Sequence, residues 1–161
     1  MRVRNKYAFE LISSMPDRVG WYVKTKSGLT YPIYRITPDE IKHAMKPFRF
    51  SLKLFDDSEY YTISHAGWMT IINEDAVDMR RYFTEIFDCD DFARYFKCMC
   101  IANYRLNAVG FVRDYSARHA YNVIIDKDLN AWIYEPQTDD IWRADEYADE
   151  LHRKVLCLIT F

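Results

Sequence analysis

The sequence predicts an α+β fold in which a helix beginning at a cysteine packs on an antiparallel sheet. Three observations lead there. Asp88 is a helix-capping residue type, and behind it Phe92, Phe96, Met99 and Cys100 recur at helical spacing. The run from His119 to Asp126 and the run from Asn130 to Glu135 flank a polar Lys127-Asp128 turn, which predicts a hairpin. The C-terminal run from Lys154 to Phe161 is nearly continuously apolar, as in a central buried strand.

In chain order, residues Tyr7 to Met15 read as a short helical candidate ended by Pro16. Gly20 to Lys24 and Leu29 to Ile36 read as two strands joined by Lys26-Ser27-Gly28, with Pro32 interrupting the second because it has no N–H for a ladder. Thr37-Pro38-Asp39-Glu40 opens a helix that stops before Pro47: Thr37 caps it, Pro38 takes the first turn and Glu40 completes a capping box. Phe48 to Leu54 alternates as a half-buried strand, and Tyr60 to Ser64 is a further strand. Trp68 to Asn73 and Ala76 to Phe87 are expected to be helical. Arg105 to Arg118 reads as a long loop leading into His119 and bordering a cleft.

At 161 residues, with 50% apolar content, the chain is expected to form one domain over residues 1–161 with its own core. A net charge of −2 gives no electrostatic pointer to nucleic acid or to an anionic membrane. No apolar run in the sequence has the length of a membrane span, and residues 1–13 lack a secretory apolar core. Cys89, Cys98, Cys100 and Cys157 are too few and too bunched for a disulfide framework, so a reducing, cytoplasmic setting is expected. Cys98 and Cys100 read as core residues on different faces of the Cys89 helix.

The chemistry is expected where Cys89, His119 and Glu135 meet. A thiol in the first turn of a helix lies near free N–H groups and the positive end of the dipole, which favour the thiolate. In the hairpin, residues whose numbers sum to about 255 face each other, so Glu135 lies opposite His119 or within two residues of it. The three have the residue types of a nucleophile, its base and the group that orients the base. The plainer readings are a buried structural thiol for Cys89 and an ordinary strand-edge residue for His119. His65 lacks an evident orienting carboxylate. Asn122, an alternative orienter by residue type, falls on the opposite face from His119. Gln137 and Asn122 are candidate substrate hydrogen-bonding groups, and Trp142 a candidate cleft wall beside Trp132. Asp90 and Asp91 suit the positive end of the helix dipole.

The phrases Phe87-Asp88-Cys89-Asp90-Asp91-Phe92-Ala93, His119-Ala120-Tyr121-Asn122-Val123 and Glu135-Pro136-Gln137-Thr138 resemble a papain-like/transglutaminase-like cysteine enzyme family of uncharacterised phage and bacterial proteins. They are also similar to the cysteine-protease domain that follows the lectin domain of a mushroom agglutinin. The resemblance runs from about Tyr82 to Trp142. It implies a papain-like/transglutaminase-like domain, with Cys89 as nucleophile, His119 as base and Glu135 as orienter, acting on a peptide or protein substrate. Water as acceptor would give a peptidase or amidase, and an amine a transglutaminase. No cofactor is required; calcium or manganese at Asp90 and Asp91 is implied by the agglutinin resemblance alone. The reading from another class is a non-catalytic binding or structural protein on the same fold, such as a phage accessory factor, working through aromatic residues of the first half such as Trp21, Tyr22 and Tyr34.

Overall fold

The computed structural model describes residues 20–46, 52–146 and 157–161. The expected helix at Tyr7 to Met15 and the start of the Phe48 strand lie outside them. The architecture is mixed α and β, centred on a six-stranded sheet.

β1 (Tyr22–Lys24) pairs antiparallel with β2 (Thr30–Pro32) through the predicted turn, where Gly28 holds a φ of 88°. Pro32 ends β2, and the chain restarts as β3 (Tyr34–Ile36), which pairs instead with β5 (Tyr60–Thr62). A residue without an N–H thus divides one expected strand between two small sheets. α1 (Pro38–Ala44) starts as its sequence dictates: the Thr37 hydroxyl accepts from the Glu40 N–H, and Glu40 accepts from the Thr37 N–H at 2.7 Å.

The main sheet has the order β4 (Leu52–Leu54), β10 (Cys157–Thr160), β6 (Val109–Asp114), β7 (His119–Ile125), β8 (Ala131–Glu135), β9 (Asp140–Arg143). All its pairings are antiparallel except β10 with β4. The predicted β7–β8 hairpin forms, with Asn122 opposite Tyr134. Its turn is fixed by Asp126, whose buried carboxylate accepts from the N–H groups of Asp128 and Asn130 and from the Trp132 indole at 2.9 Å.

One expected loop is a strand. Val109 to Asp114 is β6, paired along its whole length with β7, and the connection between them is only the turn at 115–118. Gly110 explains the misreading. It looks like loop punctuation, yet a Cβ there would lie 2.7 Å from Val123 Cγ1 and 3.0 Å from Ile159 Cγ2, so the position is glycine because neighbouring strands crowd it.

α2 (His65–Asp75) and α3 (Cys89–Met99) cover one face of the sheet, and α3 runs on into a π-helical turn, Cys100–Tyr104. Ile71, Ile72, Phe92, Phe96 and Cys100 pack there on Val109, Ile124 and Tyr134. On the other face Ile36, Ile41, Met45 and Tyr60 pack on Val112, Val123, Ile133 and Ile159. β7 is apolar almost throughout because it is buried on both sides. Cys100 is in the core as expected, whereas Cys98 is exposed.

The second correction concerns 76–87, which is not helical. Ala76 takes a left-handed φ of 63° and ends α2, and Asp75 Oδ1 accepts the Val77 N–H at 2.6 Å, a local bond that competes with helix. The segment then closes on itself through a Phe83–Phe87 bridge.

Replacing Gly110 by Ala is expected to lower stability by about 1–3 kcal/mol, since the new methyl meets packed side chains of β7 and β10. Chemical denaturation reads this as a lower midpoint at unchanged slope.

Candidate functional site

Of the three predicted chemical groups, the structure joins His119 and Glu135 by a hydrogen bond. His119 opens β7 and its Nε2 lies 2.5 Å from Glu135 Oε2, the diagonal contact that the hairpin register predicts. Glu135 is held in turn by Gln137, whose backbone N–H and Nε2 donate to Oε1 at 3.2 and 3.1 Å. The bond to Glu135 raises the His119 pKa above its ordinary value against the opposing effect of burial, and the nearby Asp114 adds to the rise.

Cys89 is elsewhere. Strand alternation turns Ala120 and Asn122 toward α3, where Ala120 packs with Ala93 and Cys89, and turns Tyr121 into the core on the other face. His119 shares the parity of Tyr121, and no hydrogen bond joins it to Cys89 among the described residues. Burial pushes the Cys89 pKa up, and the Asp88 and Asp90 carboxylates push it further, against a lowering effect of the Ala120 backbone. Desolvation and the two flanking carboxylates thus act against the depression of the thiol pKa expected at a helix start.

Two of the three predicted substrate groups make hydrogen bonds within the protein. Asn122 is fully buried, its Nδ2 donating to Ala93 O at 2.9 Å and Gly110 O at 3.2 Å, so it ties α3 to the sheet. Gln137 is engaged with Glu135. Trp142 is 41% exposed on edge strand β9, opposite Ile133. His65 stacks on Trp132, with ring centroids 3.9 Å apart.

Two triads of side chains are close enough to share a cation: Asp88, Cys89 and Asp90, and Asp75, Asp78 and Asp139. In the first, Asp90 is already engaged by Arg94 and by Arg113 at 2.9 Å. Asp91 is not in that group; its Oδ2 accepts the Asp88 N–H at 3.4 Å, a helix-start role.

The surface that sequence reasoning missed is the segment after α2 with the outer face of α3. Met79 and Ile86 are 81% and 78% exposed, and Tyr82 and Phe83 are 48% and 45% exposed. The Arg80 guanidinium lies 4.0 Å from the Tyr95 ring centroid and also donates to its hydroxyl, and Arg81 lies 5.1 Å from the Phe83 ring. Tyr82 stacks on Phe92 at 6.5 Å, anchoring the platform to α3. The signal was present in Met79-Arg80-Arg81-Tyr82-Phe83, whose neighbouring apolar and basic residues fit no single helical stripe.

No family model and no curated protein matches the sequence. Solved structures do. One, described as "PSL1a-E64 complex", aligns with a TM-score of 0.56 at 18% identity over 92% of this chain. Another is a Polyporus squamosus lectin bound to the human-type influenza-binding epitope Neu5Aca2-6Galb1-4GlcNAc, with a TM-score of 0.56 at 17% identity over 90% of this chain. The chain shares their fold. It spans 56% and 54% of their lengths, little more than half. These neighbours are a lectin, which corrects the papain-like/transglutaminase-like identification and the cysteine peptidase, amidase or transglutaminase reading built on it. A peptide or protein substrate loses its support in the same way, and the fold class stands as α+β in general.

Two outcomes follow from this geometry. Iodoacetamide labelling with peptide mass spectrometry is expected to show Cys89 reacting slowly below the ordinary thiol pKa, at the same rate in His119→Ala; rapid labelling of Cys89 that is lost in that variant would restore an activated pair. The His119 ring is expected to titrate above 6.5 by NMR in the wild type and lower in Glu135→Gln. Because its folded pKa is raised, the stability that the pair contributes is full below about pH 6.5 and fades as pH rises through the folded value. The difference in thermal midpoint between wild type and Glu135→Gln should narrow over that window.

Proposed function

We propose that the chain is a non-catalytic binding module whose ligand is a carbohydrate, taken on the surface around Tyr82 and Phe83. What supports this most is the fold likeness, over 90% of the chain, to a lectin described with a bound oligosaccharide epitope, of which this chain spans 54%. The surface chemistry agrees with it. Sugar rings present C–H faces that pack on exposed aromatic rings, while their hydroxyl and carboxylate oxygens accept from guanidinium groups. Tyr82, Phe83, Arg80 and Arg81 supply both kinds of group within one short segment. The aromatic residues of the first half fit less well. Trp21 is stacked on Tyr61 with centroids 6.0 Å apart, and the Lys127 ammonium lies 5.7 Å from the Tyr34 ring.

Isothermal titration with Neu5Aca2-6Galb1-4GlcNAc and a panel of neutral and acidic oligosaccharides tests the reading. Tyr82→Ala and Phe83→Ala are each expected to weaken binding by about tenfold, the ~1.4 kcal/mol of one aromatic contact, with the fold intact. No binding heat with any of the sugars overturns the carbohydrate ligand. Full affinity in both variants overturns the platform.

A further inference from the structure

Every residue from Asp78 to Ile86 is exposed, an excursion held at its two ends by the buried Val77 and by Phe87, which packs on Phe92 with ring centroids 4.7 Å apart. Within it the Arg80 N–H donates to Val77 O at 3.1 Å, and the Phe83 and Phe87 backbones bond to each other at 2.9 and 2.8 Å. Between these two anchors Arg81 and Tyr82 belong to no helix or strand and make no backbone hydrogen bond among the described residues. Backbone held so lightly opens locally at little cost.

An endopeptidase takes its substrate as an extended strand bonded to the enzyme on both sides of the cut, with the side chain before the cut in a pocket. Arg81 meets both demands. Its guanidinium lies 5.1 Å from the Phe83 ring centroid and makes no hydrogen bond or ion pair among the described residues. Arg80 beside it is engaged, donating to the Tyr95 hydroxyl and lying over that ring. We infer that the Arg81–Tyr82 peptide bond is a processing site for an arginine-specific endopeptidase, and that its hydrolysis yields a two-chain form with the fold intact.

The other basic residues of the described chain are less suited. Most lie inside helices or strands. Of the rest, the Lys26 and Lys127 N–H groups are bonded to Glu74 Oε2 at 2.7 Å and Ile63 O at 3.1 Å, and the Arg105 N–H to Ile101 O at 3.0 Å. Lys46 precedes Pro47, whose nitrogen has no N–H to offer an extended-strand complex. Arg118 takes a φ of 52° in the tight turn between β6 and β7, which would have to unzip before it could extend.

In the reaction the C–N bond between Arg81 and Tyr82 breaks. The oxygen of water becomes the second oxygen of an Arg81 carboxylate, and its two protons go to the Tyr82 nitrogen, which leaves as an ammonium. Met79 and Arg80 then stay with α2, and Tyr82 and Phe83 with α3, so the cut divides the exposed platform whatever that platform binds. The two pieces hold together because they share one core. β4 from the first pairs with β10 from the second, the Ala108 and Lys127 N–H groups donate to Tyr61 O and Ile63 O, and Trp68 and Ile71 pack with Ile124 and Tyr134.

The test is digestion of the full chain with trypsin under native conditions, followed over time by mass spectrometry and N-terminal sequencing. The cut that creates a Tyr82 N-terminus is expected to run at least about tenfold faster than any cut inside the described helices and strands. Arg81→Gln is expected to lose that cut at an unchanged thermal midpoint. The nicked protein is expected to elute at the size of the intact chain and to keep its near-ultraviolet circular dichroism, its two pieces separating in denaturant. A bond after Arg81 that outlasts bonds within α1, α3 or the six-stranded sheet overturns the site. Cleavage of the segment at full rate in Arg81→Gln overturns the assigned bond. Pieces that part without denaturant, or a lost near-ultraviolet signal, overturn the two-chain form.

Discussion

The Asn122 side-chain amide, sealed between α3 and the sheet, fixes how the two halves of the structure meet. By donating to the Ala93 carbonyl of α3 and to the Gly110 carbonyl of β6, one group sets the register of the helix against β6 and β7. An amide stripped of water is tolerated only when its donors are satisfied, so the helix has no favourable place to slide. The close approach at Gly110 and the apolar faces of Phe92 and Phe96 reinforce that register. Lys97, donating to the Thr160 carbonyl at 3.0 Å, pins the far end of α3 to β10.

That register decides the fate of the residues that looked chemical. Once Asn122 faces α3, alternation commits Ala120 to the same side and Tyr121 to the other. Cys89 then packs on Ala120 and Phe111 beside two carboxylates, while His119 closes on Glu135. A nucleophile needs a base within reach and a stabilised thiolate. This thiol has a raised pKa and no hydrogen bond to the imidazole. The His119–Glu135–Gln137 chain of hydrogen bonds joins the start of β7 to the end of β8 and the turn after it.

The segment between α2 and α3 is where the structure departs furthest from regular elements, and its properties share one cause. Ala76 in the left-handed region and the Asp75 side chain capping Val77 end the helix early. Of the residues that follow, Val77 is buried and Phe87 packs on Phe92, while the others meet a face of the sheet that α2 and α3 already cover. Met79, Tyr82, Phe83 and Ile86 are left outside with the arginines between and upon them, a concentration of exposed apolar surface of the kind that marks interaction sites.

Local chemistry made much of the architecture legible. The Thr37 capping box, the division at Pro32, the Asp88 helix start, the β7–β8 hairpin and the inner position of β10 each rest on hydrogen bonds or apolar periodicity among residues close in sequence. The His119–Glu135 contact was legible for the same reason, since hairpin register is set by the turn. What the tertiary structure alone decided was which faces meet. β6 was hidden because Gly110 serves a packing contact with β7 and β10, distant in the chain, and the 76–87 segment because its helical propensity lost to a local side-chain bond and to a face already occupied. Whether Cys89 would be an activated thiol depended on burial and on the side of the sheet reached by His119. Both are consequences of α3 docking through Asn122, a long-range contact for which the sequence carries no periodic signal.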